Sequence, residues 1–296
     1  MPLDSDADLS GEVPKLFGSR RSQFFAGRRG TVASTISVIV VMAAIVLVVY
    51  RAPGAAEFRS YFFNFHKMWI SWAGDPAKGI SAIGRALFTN IWMFMIGEVL
   101  ILVLGLSLAW IRISQSPVLL PFRILATVFT DVMRGLPTLL VIFIVGYGLP
   151  ALELPLVSHL PLAVYGVIAL TLNYSAYVSE VIRAGIFSVP NGQLLAARSL
   201  GLTHRSTMRR VILPQAVRTV IPPLLNDFIS LQKDTALVST LGAIEIFQAA
   251  SISQSTLFNG SGLVVASIFF LALTVPMTRF TDYLMARDRT RRLANA

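Results

Sequence analysis

The stretch ALFTNIWMFMIGEVLILVLGLSLAWI, Ala86–Ile111, is apolar along its whole length except for one charge, Glu98. A bilayer core of about 30 Å is crossed by about twenty apolar residues in helical form, and this stretch exceeds that length. It therefore predicts a helix that spans a membrane.

The composition of the whole chain fits a membrane protein. Hydrophobic residues make up 55% of it, charged residues make up 14%, and the mean hydropathy is +0.70. One soluble core of ordinary size cannot bury so much apolar surface, so the chain needs lipid as a solvent. The sequence holds no cysteine, which excludes a disulfide framework, a thiolate metal site and a cysteine nucleophile.

Five further apolar segments predict spans. They are Val32–Tyr50, Leu119–Leu149, Leu160–Ser179, Val220–Phe247 and Gly262–Thr278. The segment 119–149 is interrupted by charges and by Pro137, and it predicts an irregular span. In the segment 220–247, Pro222 and Pro223 remove backbone donors, as in the broken helices that line transporter cavities. The six segments together predict an all-α integral membrane protein with about six transmembrane helices.

The positions of the Lys and Arg residues predict the orientation of these spans. Basic residues cluster before the first span, between the fourth and fifth, and after the sixth, and such segments stay in the cytoplasm. Both termini are therefore expected to be cytoplasmic, with residues 1–31 as a disordered tail and 285–296 as a basic tail. This topology explains the net charge of +10 better than a nucleic-acid partner does. The segment 51–84 falls outside, where its aromatic residues predict an interfacial belt or a contact with an outside partner.

The predicted cytoplasmic loop at 186–215 carries a distinctive string of residues. It reads GQLLAARSLG at 192–201 and VILP at 211–214. A short helix with small residues lies closely in a cleft of a partner, and a glycine then lets the chain turn back. Taken alone, the string fits an ordinary interfacial helix as well as a docking helix.

Three more stretches stand in order around this loop. They are MRGLP at 133–137, SAYVSEVIRAGI at 175–186 and KDTAL at 233–237. With the loop, they make the chain similar to the polar-amino-acid permeases of ABC importers, from about Gly84 to the sixth span. Five loop residues fall on the pattern of that family, namely Ala196, Ala197, Gly201, Leu213 and Pro214. Leu195 stands where the family usually has Glu, and the family core has five spans, so 32–50 is an extra helix.

The resemblance implies a function that composition does not show. It implies that residues 85–284 form a permease domain that pairs with a like or identical subunit in a bacterial inner membrane. It further implies that two copies of an ATPase dock on residues 193–214 and that an external binding protein delivers a polar amino acid. Which amino acid is carried, and whether the two permeases are identical, are left open.

The fourth span carries candidates for a solute pathway. An ionisable residue inside a span raises the free energy of membrane insertion by about 2.5 to 3.5 kcal/mol, so such a residue is expected to have a partner or to line a water-filled path. Asn173, Tyr177 and Glu180 are spaced i, i+4 and i+7, which places them on one helical face that is expected to look inward. Glu180 either contacts solute or pairs with Arg183 one turn on.

Other candidates lie in the third and fifth spans. Arg134 either binds a carboxylate or extends to the membrane surface. In the fifth span, Asn226, Lys233 and Asp234 interrupt an apolar run. Lys233 and Asp234 could meet both charges of a zwitterion, but sequence neighbours do not share a helix face, so each could have its own structural partner. Glu98 in the second span is expected to be paired with a cation or protonated.

Catalytic and metal motifs are absent from the sequence. There is no P-loop, so ATP is expected to bind to the partner subunit and the chain to need no cofactor. There is no serine-nucleophile elbow or zinc-protease helix, and the three histidines are scattered, so neither catalytic nor metal-binding residues are predicted. A transporter driven by an ion gradient is the rival hypothesis, because it also uses broken helices and intramembrane charges. A membrane enzyme or assembly scaffold is a third.

Overall fold

A computed structural model describes residues 28–294 of the chain. Twelve α-helices carry almost all of this part, and within it the only extended pairing is a single bridge between Asp75 and Ile80. The helices are α1 Arg28–Arg51, α2 Ala55–Phe62, α3 Phe65–Ala73, α4 Ile83–Ile113, α5 Leu120–Gly135, α6 Thr138–Ala151, α7 Leu162–Phe187, α8 Asn191–Ser199, α9 His204–Thr207, α10 Leu213–Asp234, α11 Ile246–Leu257 and α12 Ser261–Ala294. The predicted all-α fold is confirmed for the described residues.

The predicted tails overlap the ends of this described part. The disordered tail expected at 1–31 lies mostly outside it, but α1 already begins at Arg28. The basic tail expected at 285–296 is helical up to residue 294, because α12 continues without a break past the predicted end of the last span. By its contacts the chain divides into two units, residues 1–59 and 60–296. In the first unit, the Arg59 guanidinium lies 4.5 Å from the centre of the Tyr50 ring.

Three helices of the described part are each long and apolar enough to cross a membrane. They are residues 83–113, 162–187 and 261–287, and the number rises to six if each of three bent helix pairs forms one span. Two of those pairs correspond to the third and fifth predicted spans. The chain is therefore a multi-pass membrane protein by length and composition of its helices.

Helices α4, α7 and α10 form the centre of the second unit. Gly105 of α4 lies so close to α7 that an added Cβ would stand 2.6 Å from a methyl group of Val178. In the same way, a Cβ added at Gly185 of α7 would stand 2.1 Å from a methyl group of Val220 on α10. The buried core around these contacts includes Met93, Ile142, Tyr165, Leu170, Leu231 and Val238.

The third predicted span is broken, as its irregular sequence indicated. Helix α5 ends at Gly135, α6 begins at Thr138, and the two helices are bent by 112°. Leu136 is extended and Pro137 precedes the new helix, because a residue before proline is driven out of the helical conformation.

The fifth predicted span is broken at a different place from the one expected. Helix α10 begins at Leu213, before the predicted start, and continues through Pro222 and Pro223 to Asp234. A 3-10 turn, Thr235–Leu241, follows, Gly242 takes the left-handed conformation, and α11 starts at Ile246. The predicted run 220–247 was therefore wrong in its bounds. Neighbouring helices support a proline inside a membrane helix, whereas a left-handed glycine ends it.

The segment predicted to be interfacial contains two short helices, and part of it packs on the bundle. Trp72 of α3 stacks on Phe269 at 4.8 Å between ring centres, and the hydroxyls of Ser71 and Ser253 share a hydrogen bond of 2.5 Å. Phe65 and Trp69 stay exposed. In the following turn, a hydrogen bond from Lys78 lowers the pKa of the Asp75 carboxyl.

Candidate functional site

The short helix α8 presents large apolar side chains outward. Leu195 is 63% exposed and Leu200, directly after the helix, is 83% exposed, whereas Ala197 on the opposite face is buried. Ala196, Leu213 and Pro214 are also exposed. This end of the loop therefore presents two large apolar side chains, Leu195 and Leu200, to its surroundings.

Gly201 follows this helix in a backbone conformation that is unfavourable for residues with a Cβ atom. Its φ is +81°, the left-handed region, and a Cβ built on it would meet no heavy atom within 4 Å. Its N–H donates to the Arg198 carbonyl at 2.9 Å, and the Leu202 N–H donates to the Ala197 carbonyl at 3.2 Å. These bonds satisfy carbonyl groups at the helix end, so the chain turns sharply while its backbone stays paired.

Helix α8 contacts α10 on one side and borders a cavity on the other. Gln215 of α10 donates one hydrogen bond to the Gln193 side chain and another to the Val211 carbonyl at 2.9 Å. A cavity of about 690 Å³ separates α8 from the end of α4, with Trp110 and Ile113 on one wall and Leu194 and Arg198 on the other. The hydrogen bond between Gln193 and Gln215 thus joins α8 to α10 through side chains.

Two of the predicted pathway residues hold the break between α5 and α6. Asn173 donates from Nδ2 to the Met133 carbonyl at 2.9 Å and accepts from the Thr138 hydroxyl at 3.1 Å. Tyr177 donates to the Arg134 carbonyl at 3.4 Å. A helix end inside lipid must have its carbonyl groups satisfied, and these side chains supply the donors. Asn173 is fully buried.

Glu180 lies among three arginines from three helices. Its oxygens are 2.6 Å from Arg183 Nη2, 3.0 Å from Arg112 Nη1 and 3.8 Å from Arg134 Nη1. The Arg112 side chain is only 7% exposed. Arg134, predicted either to bind a carboxylate or to extend to the membrane surface, thus lies near one of the protein's own carboxylates, and the predicted pairing of Glu180 with Arg183 is present.

The predicted residues of α10 have separate surroundings. Asp234 accepts a hydrogen bond of 2.8 Å from the Tyr174 hydroxyl on α7. Lys233 and Asn226 are exposed, and in the described part of the chain neither side chain makes a hydrogen bond or ion pair. Lys233 and Asp234 thus point to different places, as expected for sequence neighbours on a helix.

Glu98 and Asp227 are two carboxyl groups in the apolar helices that have no cationic partner among the described residues. Neither forms a salt bridge within residues 28–294, and Asp227 Oδ2 is buried without a hydrogen-bond partner. The expectation that Glu98 pairs with a cation is therefore not met in the described residues, which leaves its protonation as the open alternative.

Sequence reasoning missed a buried polar cluster that supports the second break. Asn90 donates from Nδ2 to Glu245 Oε2 and to the Thr235 hydroxyl, both at 3.0 Å, and accepts from the Ile246 N–H at 2.9 Å. Glu245 also accepts from the N–H groups of Phe247 and Gln248, which caps the start of α11. Glu is not among the residues usually found at a helix start, so the local sequence did not indicate this cap.

The chain matches a known protein family over most of its length. The family described as "Binding-protein-dependent transport system inner membrane component" matches residues 101–289. The probable glutamine ABC transporter permease protein GlnM of Bacillus subtilis (strain 168) is 38% identical over 186 residues, 62% of this chain and 83% of the relative. The L-cystine transport system permease protein TcyB of the same organism is 44% identical over 161 residues, 54% of this chain and 64% of the relative.

Solved structures agree with these sequence matches. The crystal structure of an amino acid ABC transporter with histidines superposes with a TM-score of 0.63 at 31% identity, over 69% of this chain and 93% of that one. An inward-facing structure of the MetNI methionine ABC transporter has a TM-score of 0.57 at 15% identity, over 72% and 98% of the two chains, and supports the fold alone.

Proposed function

The chain belongs to the family of binding-protein-dependent transport system inner membrane components, and from this premise we propose that it is the membrane-spanning subunit of an ABC importer for polar amino acids. It is a transport component and not an enzyme. Its relatives are named for glutamine and cystine, which supports a polar amino acid as the cargo.

The observation that carries the proposal is the exposed face of α8. Leu195 and Leu200 face outward, and Gly201 turns the chain back toward α10. In the proposed role, Leu195, Leu200 and Ala196 enter a cleft of the ATPase, the buried Ala197 packs α8 against the rest of the protein, and Leu213 and Pro214 pass the movement to α10. Leu195 stands where Glu is usual, so this contact is more apolar here.

We infer the orientation from the basic loops. In it, the α8 end of the bundle and both termini face the cytoplasm of a bacterial inner membrane, with six spans in total. Residues 32–50 add one span to a permease domain at 85–284, and the segment 51–84 lies outside. The rich supply of arginines around α8 supports this orientation.

The partners follow from the same proposal. Two copies of a P-loop ATPase supply the energy, an extracytoplasmic binding protein delivers the amino acid, and a second permease, identical or different, completes the path. Tyr177, Glu180 and Arg134 are proposed to line that path near the α5–α6 break, with Asn173 reached as the break opens. Asn226, Lys233 and Asp234 are proposed for the wall that α10 contributes.

Copurification of the ATPase from detergent-solubilised membranes tests the docking surface. The chain is tagged, and the ATPase that comes with it is measured for the wild type, Leu200→Asp and Leu195→Glu. We expect Leu200→Asp to lose most of the ATPase, because a charge replaces an apolar contact. Leu195→Glu restores the residue usual in the family and is expected to keep it.

Leu156→Asp is the matched control, since Leu156 is 88% exposed and lies in the turn between α6 and α7, remote from α8 along the chain. It is expected to leave copurification unchanged. Equal retention of the ATPase by Leu200→Asp and the wild type would remove the docking role of α8. Absence of any ATPase, under conditions that preserve a known importer complex, would favour a transporter driven by an ion gradient.

A further inference from the structure

A groove of about 510 Å³ lies where the end of α4, the start of α5 and the end of α7 meet. Three arginines and three aliphatic side chains dominate its lining. They are Arg112, Arg123 and Arg183, and Leu120, Ile124 and Val128. Proposed contacts with the ATPase and the cargo do not involve the start of α5, so this groove needs its own explanation.

The groove carries more positive than negative charge. Arg112 and Arg183 bind the Glu180 carboxylate, which also lies 3.8 Å from Arg134, and Asp131 interacts electrostatically with Arg183. The three arginines that line the groove thus outnumber the two carboxylates, Glu180 and Asp131, that interact with them. The excess positive charge remains available for an anion.

The Arg123 guanidinium has N–H groups that no residue in the described part of the chain accepts. Its Nη1 donates to the Ser114 carbonyl at 3.0 Å, and no other partner of this guanidinium is found in residues 28–294. A guanidinium has five N–H groups, so those on Nε and Nη2 are left for a ligand. The bond to Ser114 fixes the side chain at the groove, which prepares it to bind a phosphate in bidentate geometry.

The remaining wall is apolar and runs along the membrane helix. Leu120, Ile124 and Val128 follow one another at intervals of four residues on α5, and all three are exposed. Such spacing places them on one face, one turn apart. A ligand for this groove therefore has an anionic head beside the arginines and a hydrocarbon part along α5.

We propose that this groove binds an anionic phospholipid, with its phosphate on Arg112, Arg123 and Arg183 and an acyl chain along Leu120, Ile124 and Val128. The proposal rests on the proposed orientation, in which this end of the bundle lies at the inner leaflet. Basic pockets at the ends of membrane helices suit anionic headgroups. An inorganic phosphate would bind the arginines but would make no contact with the apolar wall.

Native mass spectrometry of the full chain tests the proposal without any ATPase or transport assay, so its failure is separable from failure of the proposed function. The chain is reconstituted in equal parts of phosphatidylglycerol and phosphatidylcholine, extracted, and the retained lipids are counted. We expect the wild type to retain phosphatidylglycerol in preference. Arg123→Gln is expected to lower that preference about tenfold, since it removes a charge-assisted contact.

Two further variants complete the design. Arg279→Gln removes the same charge from an arginine that is 81% exposed on α12, and it is expected to change nothing. Leu120→Glu keeps every arginine but adds a negative charge at the edge of the groove, so it is expected to lose the preference too. If Arg123→Gln fails to fold, Leu120→Glu alone tests the proposal.

Three results would overturn the proposal. Equal phosphatidylglycerol retention by the wild type, Arg123→Gln and Leu120→Glu would show that the groove binds no anionic lipid. Displacement of the lipid by millimolar inorganic phosphate would show a site for a free oxyanion. An altered proportion of dimers in Arg123→Gln, with lipid retention unchanged, would show that the groove is a contact between two copies of the chain.

Discussion

Asn173 Nδ2 donates a hydrogen bond of 2.9 Å to the Met133 carbonyl oxygen, and this contact joins the middle of α7 to the broken end of α5. The carbonyl groups at that end have no partner in their own helix, and lipid supplies none. One buried amide thus allows an irregular backbone inside the bundle. The breaks are therefore supported features of the fold and not loose segments.

Replacing this amide is expected to weaken the folded protein. Asn173→Leu keeps a similar volume but leaves the Met133 carbonyl without a donor, which costs about 1 to 3 kcal/mol for a buried group. We expect a lower unfolding temperature in detergent, measured with purified protein by intrinsic fluorescence. Asn226→Leu is the control, because the Asn226 side chain is exposed and makes no hydrogen bond in the described residues. Equal stability of the two variants would remove the supporting role of Asn173.

Glu180 is expected to be the most sensitive carboxylate of the bundle. Glu180→Gln leaves the nearly buried Arg112 without its counter-charge, and breaking such a pair costs about 3 to 5 kcal/mol. The yield of folded protein and its unfolding temperature should both fall. The second substitution Arg112→Gln is expected to restore part of the loss, because it removes the unpaired cation.

Asp282→Asn is the comparison for this pair. Asp282 lies 4.0 Å from Arg279 on the exposed face of α12, and a surface pair of this kind contributes about 1 kcal/mol or less. A loss from Glu180→Gln no larger than that from Asp282→Asn would contradict the structural role of the arginine cluster.

The sequence predicted the helices well and their side-chain partners poorly. The stretch at 86–111 is long and mostly apolar, with Glu98 as its one charge, so α4 was predictable within three residues at each end. The break after Gly135 was also visible, because Pro137 excludes helix from the residue before it. Pro222 and Pro223 indicated a broken helix, but α10 continues through both. Whether a proline breaks a helix depends on the helices packed around it, which a local sequence pattern does not show.

The same limit applies to the site. The outward face of α8 and the turn at Gly201 follow from local residues, and both were predictable. By contrast, Arg112 and Glu180 are far apart along the chain, as are Asn90 and Glu245. Only the packing of α4 against α7 and α11 brings these pairs together, so one sequence could not identify them.

The cap at the start of α11 gives a third stability prediction. Glu245→Ala removes the acceptor for two helix N–H groups and for Asn90, at a cost of about 2 kcal/mol or more. Hydrogen exchange should become faster in residues 246–250, where the cap orders the first turn. Glu153→Ala, at an exposed carboxylate, should leave these amides unchanged. Unchanged exchange in Glu245→Ala would contradict the capping role.

Gly201 is expected to separate ATP hydrolysis from transport. Gly201→Val forces a β-branched residue into the left-handed region and changes the direction of the chain after α8. In the assembled importer we expect the hydrolysis rate to persist while uptake falls at least about tenfold, since a costly geometry alters the transmission step. Gly201→Asn tolerates positive φ and should keep uptake near the wild-type value. Normal uptake in the valine variant would contradict this role.

The most direct test of the central claim is uptake of a labelled amino acid by proteoliposomes that contain the chain, its ATPase and its binding protein. The permease account predicts uptake that requires ATP on the ATPase side and continues when ionophores collapse all ion gradients. Uptake that persists without the ATPase and stops when the ion gradient is collapsed would contradict it.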